Sequence, residues 1–161
     1  MHAYRSTIQL VLLACLSTTM DTAARDDRRV VDRIIIGDTG SEQEHAYAGD
    51  DVTEGVAAGR VFRQTRGWLR YSLTVFDDTE VTVVCTFVGN GDTPQPFDLM
   101  VENHPIASYT LRSGSSALAT VEFRVPIEIT RGRTNILVML RATNGPTPAL
   151  VELRTVQDHN E

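Results

Sequence analysis

Apolar and polar residues alternate along two neighbouring stretches in the middle of the chain. Between Gly67 and Val75 the apolar positions are every second residue, and from Val81 to Phe87 the same spacing returns. A period of two is typical of a β-strand with one buried face. The short polar break at residues 76–79 has the length of a turn, and Gly89 ends the second run. The pattern therefore predicts a central β-hairpin in which residues 67–75 pair with residues 80–89.

Further short apolar runs, at roughly ten-residue spacing, predict strands along the rest of the chain. They cover residues 30–36, 60–64, 97–101, 105–112, 119–125, 135–142 and 149–156. Residues 37–59 are rich in Gly, Asp, Glu and Ser and predict loops, with one short strand near residues 45–48. No segment after residue 24 keeps helical spacing for three turns. The fold class predicted is all-β, an antiparallel β-sandwich or barrel.

The 161 residues are enough for one domain with a substantial core. A charged run at residues 25–29 marks its expected edge, so we predict a sandwich domain over residues 29–157 and a polar tail at 158–161. Residues 1–28 are predicted to be a poorly ordered leader or a junction remnant. An apolar run at residues 8–16 is too short to span a bilayer, but it allows a signal segment or a lipid attachment at Cys15. In that case the protein would be secreted, periplasmic or lipid-anchored.

Charge and cysteine content narrow the classes of function. The formal net charge of −6 argues against binding to nucleic acid and to anionic membrane surfaces, and all 15 basic residues are arginine. Cys15 and Cys85 do not make a disulfide framework or a paired-cysteine metal site. Cys85 is in phase with the apolar positions around it and is expected to be a small core residue.

Several segments resemble those of known sandwich domains. Residues 67–75 are similar to the G-W-x-x-Y-x-V-x-V strand of galactose-binding-like jelly rolls, which include many carbohydrate-binding modules. More specifically, the chain resembles the β-sandwich domain of unknown function that follows the catalytic barrel in glycoside hydrolase family 127 (β-L-arabinofuranosidase-like) proteins. This resemblance spans about residues 29–156 and is carried by residues 29–45, 97–99, 123–126 and 153–154. Residues 129–138 are similar to the late G-x-x-x-I-x-V strand of the jelly rolls.

The resemblance implies a jelly roll with a non-catalytic, accessory role. The helical barrel that carries the family's catalytic glutamate and metal-binding cysteines is absent from this chain, so no hydrolase activity is carried over. The partner it implies is a glycoside hydrolase catalytic domain, in cis or from an adjacent gene, with carbohydrate as a further ligand. Two features depart from the family pattern, since Asp38 replaces a Glu and the spacing to Glu42 and His45 is approximate.

Glu42, Glu44 and His45 form the densest polar cluster, and the resemblance points to it as well. Two carboxylates beside a histidine could hold Ca²⁺ or hydrogen-bond a sugar. A buried Glu42 or His45 could instead tie a loop to the sandwich through Arg63 or Arg154, and this structural role is the one we favour.

Aromatic and histidine residues suggest two further kinds of site. Trp68, the only tryptophan, could form a platform for a sugar ring with Tyr71 or Tyr109. Tyr71 is in phase with the core positions, so packing is the favoured role. His45, His104 and His159 follow no known ligand spacing, so no metal centre or cofactor is predicted apart from the possible calcium.

Three functions follow from these observations. The first is an accessory β-sandwich that supports a glycoside hydrolase of the β-L-arabinofuranosidase-like group. The second is a carbohydrate-binding module for plant-type polysaccharide. The third is a small independent hydrolase that uses Glu42, Glu44 and His45, and it requires these side chains to converge in an open pocket.

Overall fold

The computed structural model describes residues 28–77, 79–91 and 93–158, and within them the chain forms nine strands and two short helices. The strands are β1 (Arg28–Ile35), β2 (Ala48–Ala57), β3 (Arg60–Thr74), β4 (Val81–Val88), β5 (Gln95–Val101), β6 (His104–Leu111), β7 (Leu118–Val125), β8 (Asn135–Ala142) and β9 (Leu150–Asp158). The helices are α1 (Thr39–Glu44) and α2 (Ile127–Thr130). Every described pairing between strands is antiparallel, which confirms the predicted all-β class.

The strands form two layers that are joined through the longest strand. The strands are hydrogen-bonded in the continuous order β6-β5-β8-β3-β9-β4-β7, with β2 on β3 and β1 on β9. This sheet divides at β3 into a β6-β5-β8-β3-β2 layer and a β7-β4-β9-β1 layer. A single residue pair, Arg63 with Leu150, links β3 to β9. β3 thus passes from one layer to the other, as strands do at the corners of sandwiches. The result is an antiparallel β-sandwich.

The core lies between the two layers and is built from every second residue of the long strands. Leu69 and Tyr71 of β3, Cys85 and Phe87 of β4, and Phe97 of β5 are all at most 1% exposed. Burying an aliphatic or aromatic side chain of this kind contributes roughly 1.5–3 kcal/mol. The predicted core positions of Tyr71 and Cys85 are therefore confirmed, and burial raises the pKa of the Cys85 thiol.

The predicted central hairpin is wrong in its pairing, although both of its strands exist. β3 pairs with β2, β8 and β9, whereas β4 pairs with β7 and β9. The two strands belong to opposite layers and meet through the core. A short link between two alternating runs fits a crossing from one layer to the other as well as it fits a turn, so the local pattern does not distinguish them.

Residues 37–59 do not form the predicted loops and short strand. Asp38 caps α1, because its carboxylate accepts a hydrogen bond from the Ser41 N–H at 2.9 Å. β2 follows and pairs with β3 along its length. Ala58 and Gly59 connect them with φ values of 50° and 71°, which is the left-handed conformation that a two-residue hairpin turn requires. The strand predicted at residues 60–64 is the first part of β3.

The ends of the fold differ slightly from the predicted domain boundaries. β1 begins at Arg28 and β9 ends at Asp158, so these two residues belong to strands rather than to the leader and the tail. The predictions for residues 1–27 and 159–161 lie outside the described residues. No helix in the described part of the chain is long and apolar enough to cross a membrane.

Candidate functional site

Glu42, in the first turn of α1, is held by several hydrogen bonds. Arg63 donates to both carboxylate oxygens, from Nε at 2.6 Å and from Nη2 at 2.7 Å, and the Tyr71 hydroxyl donates at 3.2 Å. Nη1 of Arg63 lies 2.8 Å from the carboxylate of Glu54. The Glu42 side chain is only 6% exposed. The arrangement ties α1 to β3, which is the structural role favoured for Glu42 and Arg63.

The electrostatics of this network keep its groups in fixed protonation states. Burial alone would raise the pKa of Glu42, but hydrogen bonds from Arg63 and the Gly37 N–H outweigh it and lower the pKa. The bond to Glu42 raises the pKa of Arg63, and burial raises that of Tyr71. None of the three groups is therefore poised to exchange a proton near neutral pH, which general acid–base catalysis would require.

An open cleft of about 330 Å³ lies beside the network and is lined by Thr39, Glu42, Gln43, Ala46, Tyr47 and Arg63. The Arg63 guanidinium lies over the Tyr47 ring, 4.6 Å from its centroid, and the Tyr47 ring also stacks on Tyr71 at 5.2 Å. Two neighbours therefore already engage the Tyr47 ring beside this cleft.

His45 and Glu44 do not complete a shared site with Glu42. His45 lies at the end of α1, where its Nε2 is 3.0 Å from Asp32 Oδ1 and its Nδ1 is 2.5 Å from the Ser41 carbonyl oxygen. Glu44 is exposed to solvent. The described contacts of Glu42 and His45 thus go to different partners. The hydrolase hypothesis requires Glu42, Glu44 and His45 to share one open pocket. These contacts do not meet that requirement.

A second candidate surface lies on the outer face of the β6-β5-β8-β3-β2 layer. The strand register places Ser108, Asp98, Arg141, Trp68 and Asp50 side by side, one residue from each strand. Directly opposed residues have their side chains on the same face of a sheet. With neighbouring strands about 4.8 Å apart, the row extends over roughly 19 Å. We call this set the Trp68 row.

Hydrogen bonds fix the polar part of the Trp68 row. Asp98 accepts from the Ser108 hydroxyl at 2.6 Å and from Nη2 of Arg141 at 2.7 Å, and these two bonds lower the pKa of Asp98. Arg70, two residues along β3 on the same face, places its guanidinium 5.3 Å from the centroid of the Trp68 ring. Trp68 and Arg70 are half-buried, and Arg141 and Ser108 are exposed, so the row is open to solvent.

The structure places the predicted site residues in three separate regions. Glu42 and Arg63 meet at α1, whereas Trp68 lies on the side of β3 opposite to Tyr71 and so faces away from the core. Arg154 belongs to the other layer, where Nη1 donates to Glu152 at 3.3 Å and not to Glu42.

Sequence reasoning missed Ser108, Asp98 and Arg141, which complete the Trp68 row. Each lies on a different strand, and only the register of the sheet brings them together. Within the described ranges, no group of three or more histidine, cysteine, aspartate or glutamate side chains is arranged to hold a metal ion.

Comparison with known sequences identifies one family. The model of DUF6805, a family of unknown function, matches residues 26–156. No curated protein matches this chain in sequence.

Comparison with solved structures finds the same fold in carbohydrate-binding modules. A family 35 module from an environmental isolate aligns with a TM-score of 0.60 at 14% identity, over 76% of this chain and 90% of the module. The family 35 module from Clostridium thermocellum aligns with a TM-score of 0.55 at 10% identity, over 68% and 90% of the two chains. Part of an exo-β-1,3-galactanase from Phanerochaete chrysosporium aligns with a TM-score of 0.57 at 9% identity, over 79% of this chain and 29% of the enzyme. These likenesses show a shared jelly-roll fold, as predicted.

Proposed function

We propose that this chain, which belongs to the family of unknown function DUF6805, is a non-catalytic carbohydrate-binding module that binds its ligand on the Trp68 row. The observation that carries the proposal is the indole of Trp68 on an open sheet face, beside Arg141 and the hydrogen-bonded Asp98. An indole offers an apolar face to the C–H side of a sugar ring, and the polar neighbours can hydrogen-bond its hydroxyls. The fold shared with family 35 modules supports this function.

The shape of the surface favours a polysaccharide chain over a single sugar. The Trp68 row is long and open, whereas sites for small molecules are usually concave. Its polar side chains are also held in place before any ligand arrives, because Asp98 fixes both Ser108 and Arg141. Side chains that are already ordered lose less conformational entropy on binding. We expect plant-type polysaccharides, which are rich in hydroxyls, to be the ligand class.

Affinity gel electrophoresis on a panel of plant polysaccharides tests this function. The wild-type chain should be retarded by at least one of xylan, arabinan, arabinogalactan and galactan, and Trp68→Ala should abolish the retardation. Phe76→Ala is the matched control, because Phe76 is an exposed aromatic residue outside the Trp68 row. Thermal unfolding of both variants checks that they fold. Mobility unaffected by every polysaccharide, or equal retardation of Trp68→Ala and wild type, would overturn the proposal.

We further propose that the module acts beside a glycoside hydrolase, encoded in cis or by an adjacent gene. The resemblance of residues 29–156 to the domain that follows the barrel in β-L-arabinofuranosidase-like proteins supports this association. The coding sequence upstream of Met1 tests it directly. A neighbouring reading frame for a helical barrel is the expected result, and genes for unrelated functions on both sides would contradict it.

A further inference from the structure

Three arginine side chains surround one buried carboxylate on the outer face of the β7-β4-β9-β1 layer. Glu152 of β9 is only 6% exposed at its side chain. Its Oε2 accepts from Nη2 of Arg33 at 2.5 Å and lies 3.7 Å from Nη2 of Arg60, and its Oε1 accepts from Arg154 at 3.3 Å. The three arginines come from β1, from the start of β3 and from β9. The buried carboxylate therefore holds three guanidinium groups at one place.

This cluster has more positive charge and more donors than its carboxylate can satisfy. Three guanidinium groups and one carboxylate leave two positive charges in excess, in a chain whose net charge is −6. Each guanidinium carries five N–H donors, of which the contacts to Glu152 use a small part. Nε of Arg154 is buried and has no hydrogen-bond partner among the described residues. The side chains of Arg33, Arg60 and Arg154 are 50%, 38% and 32% exposed, so an anion with several acceptor oxygens could reach and satisfy their outer donors.

An open cleft of about 390 Å³ adjoins the cluster and would accommodate the body of a ligand. Arg60 and Ile35 line it together with Gly59 and Val61. Ile35 stands directly opposite Glu152 in the register and is 51% exposed, so an apolar surface borders the guanidinium groups. Asp38 also lines the cleft, but its carboxylate is engaged in capping α1. A cleft of this volume suits a small ring-bearing ligand rather than a flat protein surface.

We propose that Arg33, Arg60 and Arg154 form a second carbohydrate subsite that recognises the carboxylate of an acidic sugar, a uronate residue, whose ring lies in the adjoining cleft over Ile35. The inference rests on the proposed carbohydrate-binding function and adds the chemical class of one ligand. The subsite lies on the layer opposite to the Trp68 row. The module would thus hold neutral stretches of an acidic polysaccharide on one layer and an acidic residue on the other.

Calorimetric titration with trigalacturonate tests the subsite, with neutral galactotriose as the comparison ligand. We expect the wild-type chain to bind trigalacturonate and Arg60→Gln to bind it about tenfold more weakly, the usual effect of one lost charge-assisted hydrogen bond. Arg60 is chosen because it makes the longest contact with Glu152, so its replacement leaves the two shorter contacts in place. Arg66→Gln is the matched control, since Arg66 is exposed and lies outside the cluster. Binding should also weaken as salt is raised.

Three outcomes would overturn the subsite. The first is the absence of trigalacturonate binding to the wild type, and the second is an equal loss of trigalacturonate affinity in Arg60→Gln and Arg66→Gln. The third is equally tight binding of a hexaglutamate peptide, which would assign the cluster to an acidic protein. Retardation by neutral polysaccharide is measured on the same wild-type sample. That measurement tests the proposed function alone, so its failure is distinguishable from failure of the acidic subsite.

Discussion

Arg63 donates two hydrogen bonds, of 2.6 and 2.7 Å, to the two carboxylate oxygens of Glu42 and so fastens α1 to β3. The pair is shielded from water, with side-chain exposures of 16% and 6% for the arginine and the glutamate. α1 has only six residues, too few to be stable by itself in water. The position of α1 therefore depends on this ion pair and on the cap from Asp38.

Replacing Glu42 by Ala should destabilise the fold strongly. The variant leaves the half-buried Arg63 without the partner for two of its hydrogen bonds, and breaking a buried ion pair in this way costs about 3–5 kcal/mol. Urea denaturation measures the free energy of unfolding. Glu44→Ala, two residues along at an exposed position, is the control and should change it by less than about 0.5 kcal/mol. A loss for Glu42→Ala as small as that of the control would show that the pair does not hold α1.

Asp32 and His45 form a second ion pair at the same end of the molecule. Burial alone would lower the pKa of His45, but the bonds to the Ser41 carbonyl and to Asp32 outweigh it and raise the pKa above 6.5. Burial alone would raise the pKa of Asp32, but bonds from the Thr74 N–H and from His45 lower it below 3.8. Both ring nitrogens of His45 face acceptors, so the doubly protonated imidazolium is the form that fits.

The stability of the protein should consequently fall as pH rises above 6.5. The raised pKa of His45 contributes stability that is complete below pH 6.5 and is lost as pH rises through the folded value. The lowered pKa of Asp32 contributes stability that is complete above pH 3.8 and is lost in stronger acid. The pair is therefore fully effective between these two values.

Melting temperatures at pH 6 and pH 9 measure the alkaline loss attributed to His45. His45→Gln should reduce the difference between the two temperatures, and His104→Gln, at an exposed position, should preserve it. An undiminished difference in His45→Gln would assign the alkaline loss to other groups.

The turn between β2 and β3 offers a test of the backbone conformation. Ala58 has a φ of 50°, a left-handed conformation that costs an ordinary L-residue about 1–2 kcal/mol and that Asn tolerates better. Ala58→Asn should therefore raise the free energy of unfolding by roughly 0.5–1 kcal/mol. Gly59→Ala should lower the free energy of unfolding by about 1 kcal/mol, because Gly59 has a φ of 71°, which is unfavourable for alanine. No atom lies near enough to clash with the added methyl group, so backbone strain is the whole cost. Equal stability of both variants and wild type would contradict the left-handed conformation of this turn.

Hydrophobic periodicity predicted the strands well where one face is buried and the other is wet. The strand expected at residues 135–142 is β8, and the one expected at 119–125 is β7 with a small shift at its start. The strand expected at 149–156 is β9, which is buried on both faces. β2 was missed because it is a polar edge strand, held by backbone pairing with β3 rather than by its own side chains. α1 was missed because six residues are too few to show a helical period.

The candidate site residues were predictable only where the residue type itself, or its immediate sequence context, indicates a role. Trp68 stands out as the sole tryptophan, and Glu42 was expected to pair with Arg63 or Arg154. Asp98 and Arg141 could not be placed beside Trp68, because that juxtaposition depends on which strands pair and in which register. The three arginines around Glu152 could not be grouped from the sequence either, because they are spread over more than a hundred residues of the chain.

Tryptophan fluorescence during titration with a bound polysaccharide tests the central claim most directly, because Trp68 is the only indole in the chain. If the ligand lies on the Trp68 row, the emission should change with the same saturation curve that calorimetry gives. The bound ligand should also protect the indole from quenching by acrylamide. Emission and quenching that stay the same while calorimetry shows full saturation would place the ligand elsewhere and contradict the account.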